Sequence, residues 1–150
     1  AAVKGFTVDP ASYDVVLCLG AAASVGDVPA ALEWMANIAK PGGTLVLGTT
    51  VLRHPPAVPK GDILPPDTVG MIGVMERHGA EVSATISASD ADYERYQSHQ
   101  RHATLLWARE NPAHRDHAEV LQKSRDDWMH YQRIIRPMLG WTTFVGRKKD

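Results

Sequence analysis

The chain has 150 residues, a length that favours a single domain with a hydrophobic core of its own. Its formal net charge is -1, which excludes the strongly basic surface typical of a nucleic-acid-binding protein. The single cysteine, Cys18, excludes an internal disulfide and a zinc site built from several cysteines. Neither a transmembrane run nor a signal peptide is recognisable, so we expect a cytoplasmic protein without a nucleic-acid or membrane partner.

The N-terminal third predicts a strand, a helix and a second strand. Residues 14–19 (DVVLCL) form a continuous apolar run that is typical of a strand buried on both faces of a parallel sheet. Asp27 can cap a helix over residues 28–39, which carries one apolar stripe. Residues 40–43 (KPGG) end this helix and turn the chain into a second buried strand, residues 44–48. This order predicts a right-handed βαβ unit.

A long loop follows the second predicted strand. Residues 50–66 contain five prolines and show no periodicity. Loops longer than about 12–15 residues without structure of their own are often functional. Asp67 then caps a predicted helix that runs to about His78.

The C-terminal half predicts a third strand, two long helices and a last strand. Residues 81–89 alternate apolar and polar side chains, as a half-buried strand does. Asp90 is the predicted cap of a helix of about 20 residues, and a second helix extends over residues 113–138. Residues 141–146 (WTTFVG) form the last predicted strand.

Two segments carry a family resemblance. The segment YDVVLCLGAAASVGDVPAALEWMANIAKPGGTLVLG resembles the second half of a class I S-adenosylmethionine-dependent methyltransferase, and LGWTTFVGRKK resembles the last strand of that family. The resemblance extends over residues 12–149. It implies an α/β fold with a partial Rossmann-like methyltransferase sheet, in which this chain supplies family strands 4, 5, 7 and 6. A helical hairpin over residues 91–138, inserted before the last strand, is then interpreted as a lid or acceptor-binding cap within one domain, residues 1–150.

Part of the family's pattern is absent from these residues. The glycine-rich turn after the family's first strand is missing, as is the acidic residue after its second strand. The sequence also begins Ala1-Ala2-Val3, without methionine. We therefore expect that the chain is a truncated or fragmentary form of the family's domain.

The resemblance implies S-adenosylmethionine as cofactor. Ligands of doubly wound sheets bind outside the carboxyl ends of the strands. By resemblance, Cys18, Leu19, Gly20 and Ala21 face the methionine part of the cofactor at the end of the first strand. The alternative is a plain tight turn, because glycine also serves turns that bind nothing.

Candidate acceptor-binding residues lie in the loop and on the first long helix. Arg53 and His54 follow the second strand, and Tyr93 and Tyr96 share one helix face. The alternatives are an exposed loop histidine and ordinary aromatic packing. Methyl transfer by in-line displacement needs positioning rather than a covalent intermediate, so no catalytic residue is assigned.

Seven histidines raise the question of a metal. His99 and His102, and likewise His114 and His117, are spaced i, i+3 on predicted helices, a spacing that can chelate a metal. Their flanking carboxylates do not form the Glu-x-x-His pattern of di-iron bundles. Solvated helix faces are the better interpretation, and no metal site is predicted.

Two functions are compatible with the sequence. The leading hypothesis is a methyltransferase that acts on a small-molecule acceptor, whose identity the sequence does not reveal. The alternative is a non-catalytic Rossmann-like fragment that needs a missing N-terminal half or a partner chain. Residues 14–19 would otherwise form an apolar exposed edge, so pairing through this strand is predicted.

Overall fold

The computed structural model describes residues 8–53 and 64–149. The chain divides into a sheet unit, formed by the residues up to Ser87 and from Trp141 onward, and a helical unit, Ala88–Gly140. The elements, in chain order, are β1 (Tyr13–Leu19), α1 (Val28–Ile38), β2 (Ala39–Leu52), α2 (Thr68–Arg77), β3 (Ala80–Ser87), α3 (Asp90–Glu110), α4 (His117–His130) and β4 (Leu139–Lys148). No helix among the described residues is both long enough and apolar enough to cross a membrane.

The sheet has the order β1-β2-β4-β3. β1 and β2 run parallel, whereas β3 and β4 run antiparallel. This order confirms the predicted family strand order 4, 5, 7, 6 and the α/β fold class.

The core lies on one face of the sheet. Val16 and Cys18 of β1 stand beside Leu45 and Leu47 of β2, and all four side chains are buried. α1 and α2 cover this face with Leu32, Met35, Met71 and Met75, which are at most 2% exposed. Asp27 and Asp67 fix the starts of the two helices by accepting backbone N–H bonds from Ala30 and Gly70, as predicted from sequence.

The expectation that residues 14–19 are buried on both faces is wrong. Val15, Leu17 and Leu19 point away from the core and are 49%, 60% and 54% exposed. β1 is also an outer strand of the sheet, bonded only to β2 among the described residues. Its continuous apolar run therefore has a partner layer on one side alone.

Residues 40–43 belong to β2 rather than to a separate turn. Tyr13 pairs with Ala39 and Val15 pairs with Thr44, so the extra residues of β2 are accommodated as a bulge. Gly42 has φ +66°, which favours glycine at this point of the bulge. Lys40 donates to the carboxylate of Asp14 at 2.9 Å and ties the bulge to β1.

A bulge in β3 changes which side chains are buried. Val82 pairs with Gly146, but Ala84 already pairs with Val145, so one extra residue lies between the two pairs. A slip of one residue moves every later side chain to the opposite face. Ile86 therefore lies on the face opposite the core, although the alternation in the sequence predicts an apolar core face through this position; it is 63% exposed, and residues 83–87 are all exposed.

The helical unit departs from the predicted boundaries at two points. Ser89, not Asp90, caps α3, since its hydroxyl accepts from the N–H of Asp92 at 3.1 Å. α4 begins at His117 rather than at residue 113 because turns bonded to Asn111 and His114 precede it. The helical path then continues through a π-helical stretch, Tyr131–Ile135, to Met138.

Candidate functional site

The carboxyl ends of β1 and β2 are fastened to each other at a pair of glycines. The N–H of Gly20 donates to the carbonyl of Gly48 at 2.9 Å. Gly20 has φ +69°, a conformation that costs other residues free energy, so the chain can turn sharply as β1 ends. Ala22–Ser24 then form a single helical turn before α1.

Trp141, at the start of β4, lies against both glycines. A Cβ atom placed on Gly20 would be 3.0 Å from Cη2 of the indole, and one placed on Gly48 would be 2.9 Å from Cζ2. The distance at Gly48 is shorter than real Cβ contacts, and the one at Gly20 is tighter than most of them, so a side chain at either position would displace the ring. The small residues here therefore have a structural cause that sequence reasoning missed: they make room for an indole. The aromatic residue at the start of the last strand, Trp141, was the feature of the sequence that could have indicated this.

The four predicted cofactor-binding residues occupy the end of β1 and the turn after it. Leu19, Gly20 and Ala21 are exposed, and in Gly20, which has no side chain, the exposed surface is backbone. Cys18 is only 7% exposed and its side chain packs in the core, so it can offer a ligand only its backbone. The turn itself, residues 20–26, contains no acidic residue, and the next one along the chain, Asp27, caps α1.

The long loop leaves and rejoins the sheet at neighbouring points. The N–H of Leu52 donates to the carbonyl of Pro66 at 3.1 Å, and Leu52 bridges to Asp67. Arg53 is half-buried and comes directly after β2. Because β1 and β2 are parallel, Arg53 lies at the same edge of the sheet as the turn after β1. His54, the other predicted acceptor-binding residue of this loop, lies outside the described residues.

The two predicted tyrosines differ in their surroundings. The ring of Tyr93 meets that of Tyr131 edge-on, with centroids 5.9 Å apart, and Tyr131 is buried. Tyr96 is 59% exposed. The contact of Tyr93 agrees with the packing alternative, but it does not test ligand binding, so Tyr93 and Tyr96 both stay predicted acceptor contacts. The role of residues 91–138 as a lid also stays a prediction.

Two of the paired histidines make local contacts instead of facing a common point. The ring of His114 packs against Trp107 at 5.2 Å, and Nδ1 accepts from the N–H of Asp116. Nδ1 of His117 is 3.1 Å from the carbonyl oxygen of Asn111. Within residues 8–53 and 64–149, no three His, Cys, Asp or Glu side chains are grouped as metal ligands.

Comparisons with known proteins agree on the fold. No protein-family model matches the chain. The structure is similar to that of a SAM-dependent methyltransferase from Geobacter sulfurreducens in complex with S-adenosyl-L-homocysteine, with a TM-score of 0.85, 22% identity and coverage of 99% of this chain. A SAM-dependent methyltransferase from Thiobacillus denitrificans, in complex with the same molecule, gives a TM-score of 0.84 at 21% identity, again over 99% of this chain.

A relative in Escherichia coli is similar in both sequence and structure. The curated protein YjhP of strain K12, described as uncharacterized, is 27% identical over 142 residues, which cover 88% of this chain and 56% of YjhP. The X-ray structure of YjhP gives a TM-score of 0.82 at 25% identity over 95% of this chain. The chain spans 63% of the Geobacter and Thiobacillus structures and 64% of the YjhP structure. Sheet order and structural likeness together show that this chain has the class I S-adenosylmethionine-dependent methyltransferase fold.

Proposed function

We propose that this chain is part of a methyltransferase that uses S-adenosylmethionine to methylate a small-molecule acceptor in the cytoplasm. The observation that carries the proposal is the likeness, with a TM-score of 0.85, to a methyltransferase in complex with S-adenosyl-L-homocysteine. The exposed turn after β1 supports it, because ligands of such sheets bind at the carboxyl ends of the strands.

Methyl transfer requires the protein mainly to position the methyl donor and the acceptor. When bound, S-adenosylmethionine supplies the methyl group, whose bond to sulfur breaks as the acceptor's lone pair forms the new bond. Holding two reactants in line can supply about 7–11 kcal/mol of the barrier. No nucleophilic side chain is needed for this step, in keeping with a buried Cys18.

The residues of the turn fit one part of the cofactor. Gly20 offers exposed backbone between the exposed residues Leu19 and Ala21, which suits the methionine portion. Trp141 fills the space behind Gly20 and Gly48 and keeps this backbone in place. The turn, residues 20–26, contains no carboxylate for the ribose hydroxyls, so the proposed site takes that group from another segment. Arg53 is the acceptor-binding candidate at this edge, and Tyr93 and Tyr96 are the candidates in the helical unit.

Calorimetric titration with S-adenosyl-L-homocysteine tests the proposal, on this chain and on any longer form that the gene encodes. Ala21→Leu should weaken binding at least about tenfold, because a larger side chain obstructs the accessible turn. Ala23→Leu is the matched control, since Ala23 is also exposed and lies two residues further on. The absence of binding to every form, or equal binding by both variants, would contradict the proposal.

A second candidate function rests on one face of the sheet. Val15, Leu17 and Leu19 of β1 lie on the face opposite the core, each 49% to 60% exposed; we call this surface the open sheet face. Sheets with parallel strands are normally covered on both faces. The second candidate is therefore a non-catalytic piece that binds another polypeptide segment through β1 and the open sheet face.

Hydrogen exchange distinguishes the second candidate from the first. In this chain alone, the amides of β1 on its outer side should exchange within seconds to minutes, as unpaired edge amides do. In a longer form they should become protected as a neighbouring strand pairs with them. Protection of β1 without any binding of S-adenosyl-L-homocysteine would favour the non-catalytic function, and unchanged exchange would exclude it.

A further inference from the structure

A polar groove separates the two long helices of the helical unit. Its cavity volume is about 250 Å³, and its walls include Gln97, Gln100 and Arg101 from α3 and Lys123, Asp127 and Trp128 from α4. The methyltransferase proposal uses none of these six residues. The groove lies wholly within the helical unit, so it can be considered independently of the sheet unit.

One of the two cationic side chains of the groove, Arg101, has no carboxylate partner among the described residues. Lys123 donates to both oxygens of Asp127 at 3.1 and 2.8 Å, and this contact raises the pKa of Lys123. Arg101 instead donates through Nη1 to the neutral hydroxyl of Ser124 at 2.8 Å. No carboxylate of the described residues lies within ion-pair distance of Arg101, although its guanidinium has five N–H donors.

The net charge of the groove fits a monoanion. Arg101 and Lys123 are positive and Asp127 is negative, so these three groups leave one positive charge. A phosphate dianion would be repelled by Asp127 and only half neutralised by Arg101. A carboxylate carries one charge and matches the two-pronged geometry of a guanidinium.

An aromatic ring, that of Trp128, lines the same groove as Arg101. Trp128 packs against the buried Tyr131, with centroids 5.6 Å apart and ring planes inclined at 35°, which holds the indole in position. A cavity of about 250 Å³ is smaller than typical drug-sized pockets and suits a single ring with one substituent. Gln97 and Gln100 add amide groups that can donate or accept further hydrogen bonds.

We propose that the groove between α3 and α4 is a binding site for a small aromatic carboxylate. The carboxylate pairs with Arg101, and the ring packs against Trp128. This site goes beyond the proposed methyl transfer and does not depend on it.

Calorimetry with three probes tests the charge and shape of the ligand: benzoate, phenyl phosphate and benzyl alcohol. Benzoate should bind with a dissociation constant on the order of 1 mM or below, more tightly than either of the other two. Failure of benzoate to bind, or tighter binding of phenyl phosphate or benzyl alcohol, would overturn the proposal. S-adenosyl-L-homocysteine is titrated separately, so the two proposals fail independently.

Three variants test the residues of the groove. Arg101→Gln should weaken benzoate binding about tenfold or more, whereas Arg125→Gln, at an exposed position of α4, should leave it unchanged. Ser124→Ala removes the same contact between the helices but keeps the guanidinium, so it should bind benzoate at least as well as the wild type. Circular dichroism verifies that all three variants are folded. Equal loss of binding in Arg101→Gln and Ser124→Ala would show that the arginine acts only through structure and would overturn the proposal.

Discussion

At the scale of single residues, the glycines at the candidate site are explained by a neighbouring side chain as well as by a proposed ligand. The sequence predicts a small-residue turn after the first strand, and the structure has one. The sequence could not predict that Trp141 approaches the turn. Gly20 and Trp141 are separated by most of the chain and meet only when the sheet forms. Periodicity and turn propensity describe local backbone, whereas the space left by a missing Cβ depends on the tertiary neighbour.

Gly48→Ala should therefore destabilise the protein by about 1–3 kcal/mol, since the new methyl group overlaps Cζ2 of Trp141 and Cδ2 of Leu19, each 2.9 Å away. Combining it with Trp141→Leu should recover about 1 kcal/mol of that loss relative to additivity, because the ring no longer occupies the space. Urea unfolding of the wild type, both single variants and the double variant gives the coupling free energy.

The control for this cycle is Gly73→Ala, a glycine in the interior of α2. A Cβ there meets only the end of the Arg77 side chain at 3.3 Å, which can move aside. Replacing a glycine inside a helix by alanine stabilises by about 0.5–1 kcal/mol. A loss of stability in Gly73→Ala equal to that of Gly48→Ala would mean that the effect at Gly48 does not come from Trp141.

At the scale of elements, local signals predicted well and long-range ones did not. The starts of α1 and α2 follow from Asp27 and Asp67, whose side chains bond to backbone only three residues away. The exposed side of β3 follows instead from a bulge between Val82 and Ala84, which depends on how β3 pairs with β4. The exposure of β1 likewise depends on which strands lie beside it.

The capping box of α3 gives a test at this scale. Ser89 and Asp92 bond reciprocally, each side chain accepting from the other's backbone N–H. Ser89→Ala should reduce the stability of the helical unit by about 1 kcal/mol, as loss of a cap does elsewhere. Ser98→Ala, within the same helix, should be neutral or slightly stabilising. Thermal unfolding followed by circular dichroism compares the two, and an equal effect of both would exclude a capping role for Ser89.

The same capping box has a pH dependence whose sign is fixed. Hydrogen bonds from the hydroxyl and N–H of Ser89 lower the pKa of Asp92 below the ordinary aspartate range. Because the folded-state pKa lies below the unfolded one, the contribution is present above the unfolded pKa and is lost as the pH falls through the folded value. Asp92→Asn should therefore lose less helix stability than the wild type on acidification from neutral pH to about pH 3.

The matched control for acidification is Glu110→Gln, at the other end of α3. Glu110 is exposed and makes no ion pair or side-chain hydrogen bond among the described residues. It should keep the acid sensitivity of the wild type. Amide exchange in the first turn of α3, measured across the pH range, provides the local readout, and identical profiles for Asp92→Asn and the wild type would contradict the assignment.

At the scale of the whole molecule, the open sheet face is notable because it exposes apolar side chains. Its side chains Val15, Leu17 and Leu19 are 49% to 60% exposed, while α1 and α2 pack on the opposite face of the sheet. Contiguous exposed apolar surface marks an interaction site or an aggregation liability. The related solved structures are longer than this chain, which spans 63% to 64% of them.

This chain alone should therefore self-associate through the open sheet face, and Leu17→Lys should reduce the association. Leu17 is 60% exposed at the middle of β1, so a lysine there places a charge on the apolar surface while costing the core nothing. Val69→Lys makes the same chemical change on α2, where Val69 is 75% exposed, and should leave the association unchanged. Light scattering coupled to size-exclusion chromatography measures the mass of each form. A monomeric wild type, or an equal response of the two variants, would show that this face is not the one through which copies of the chain associate.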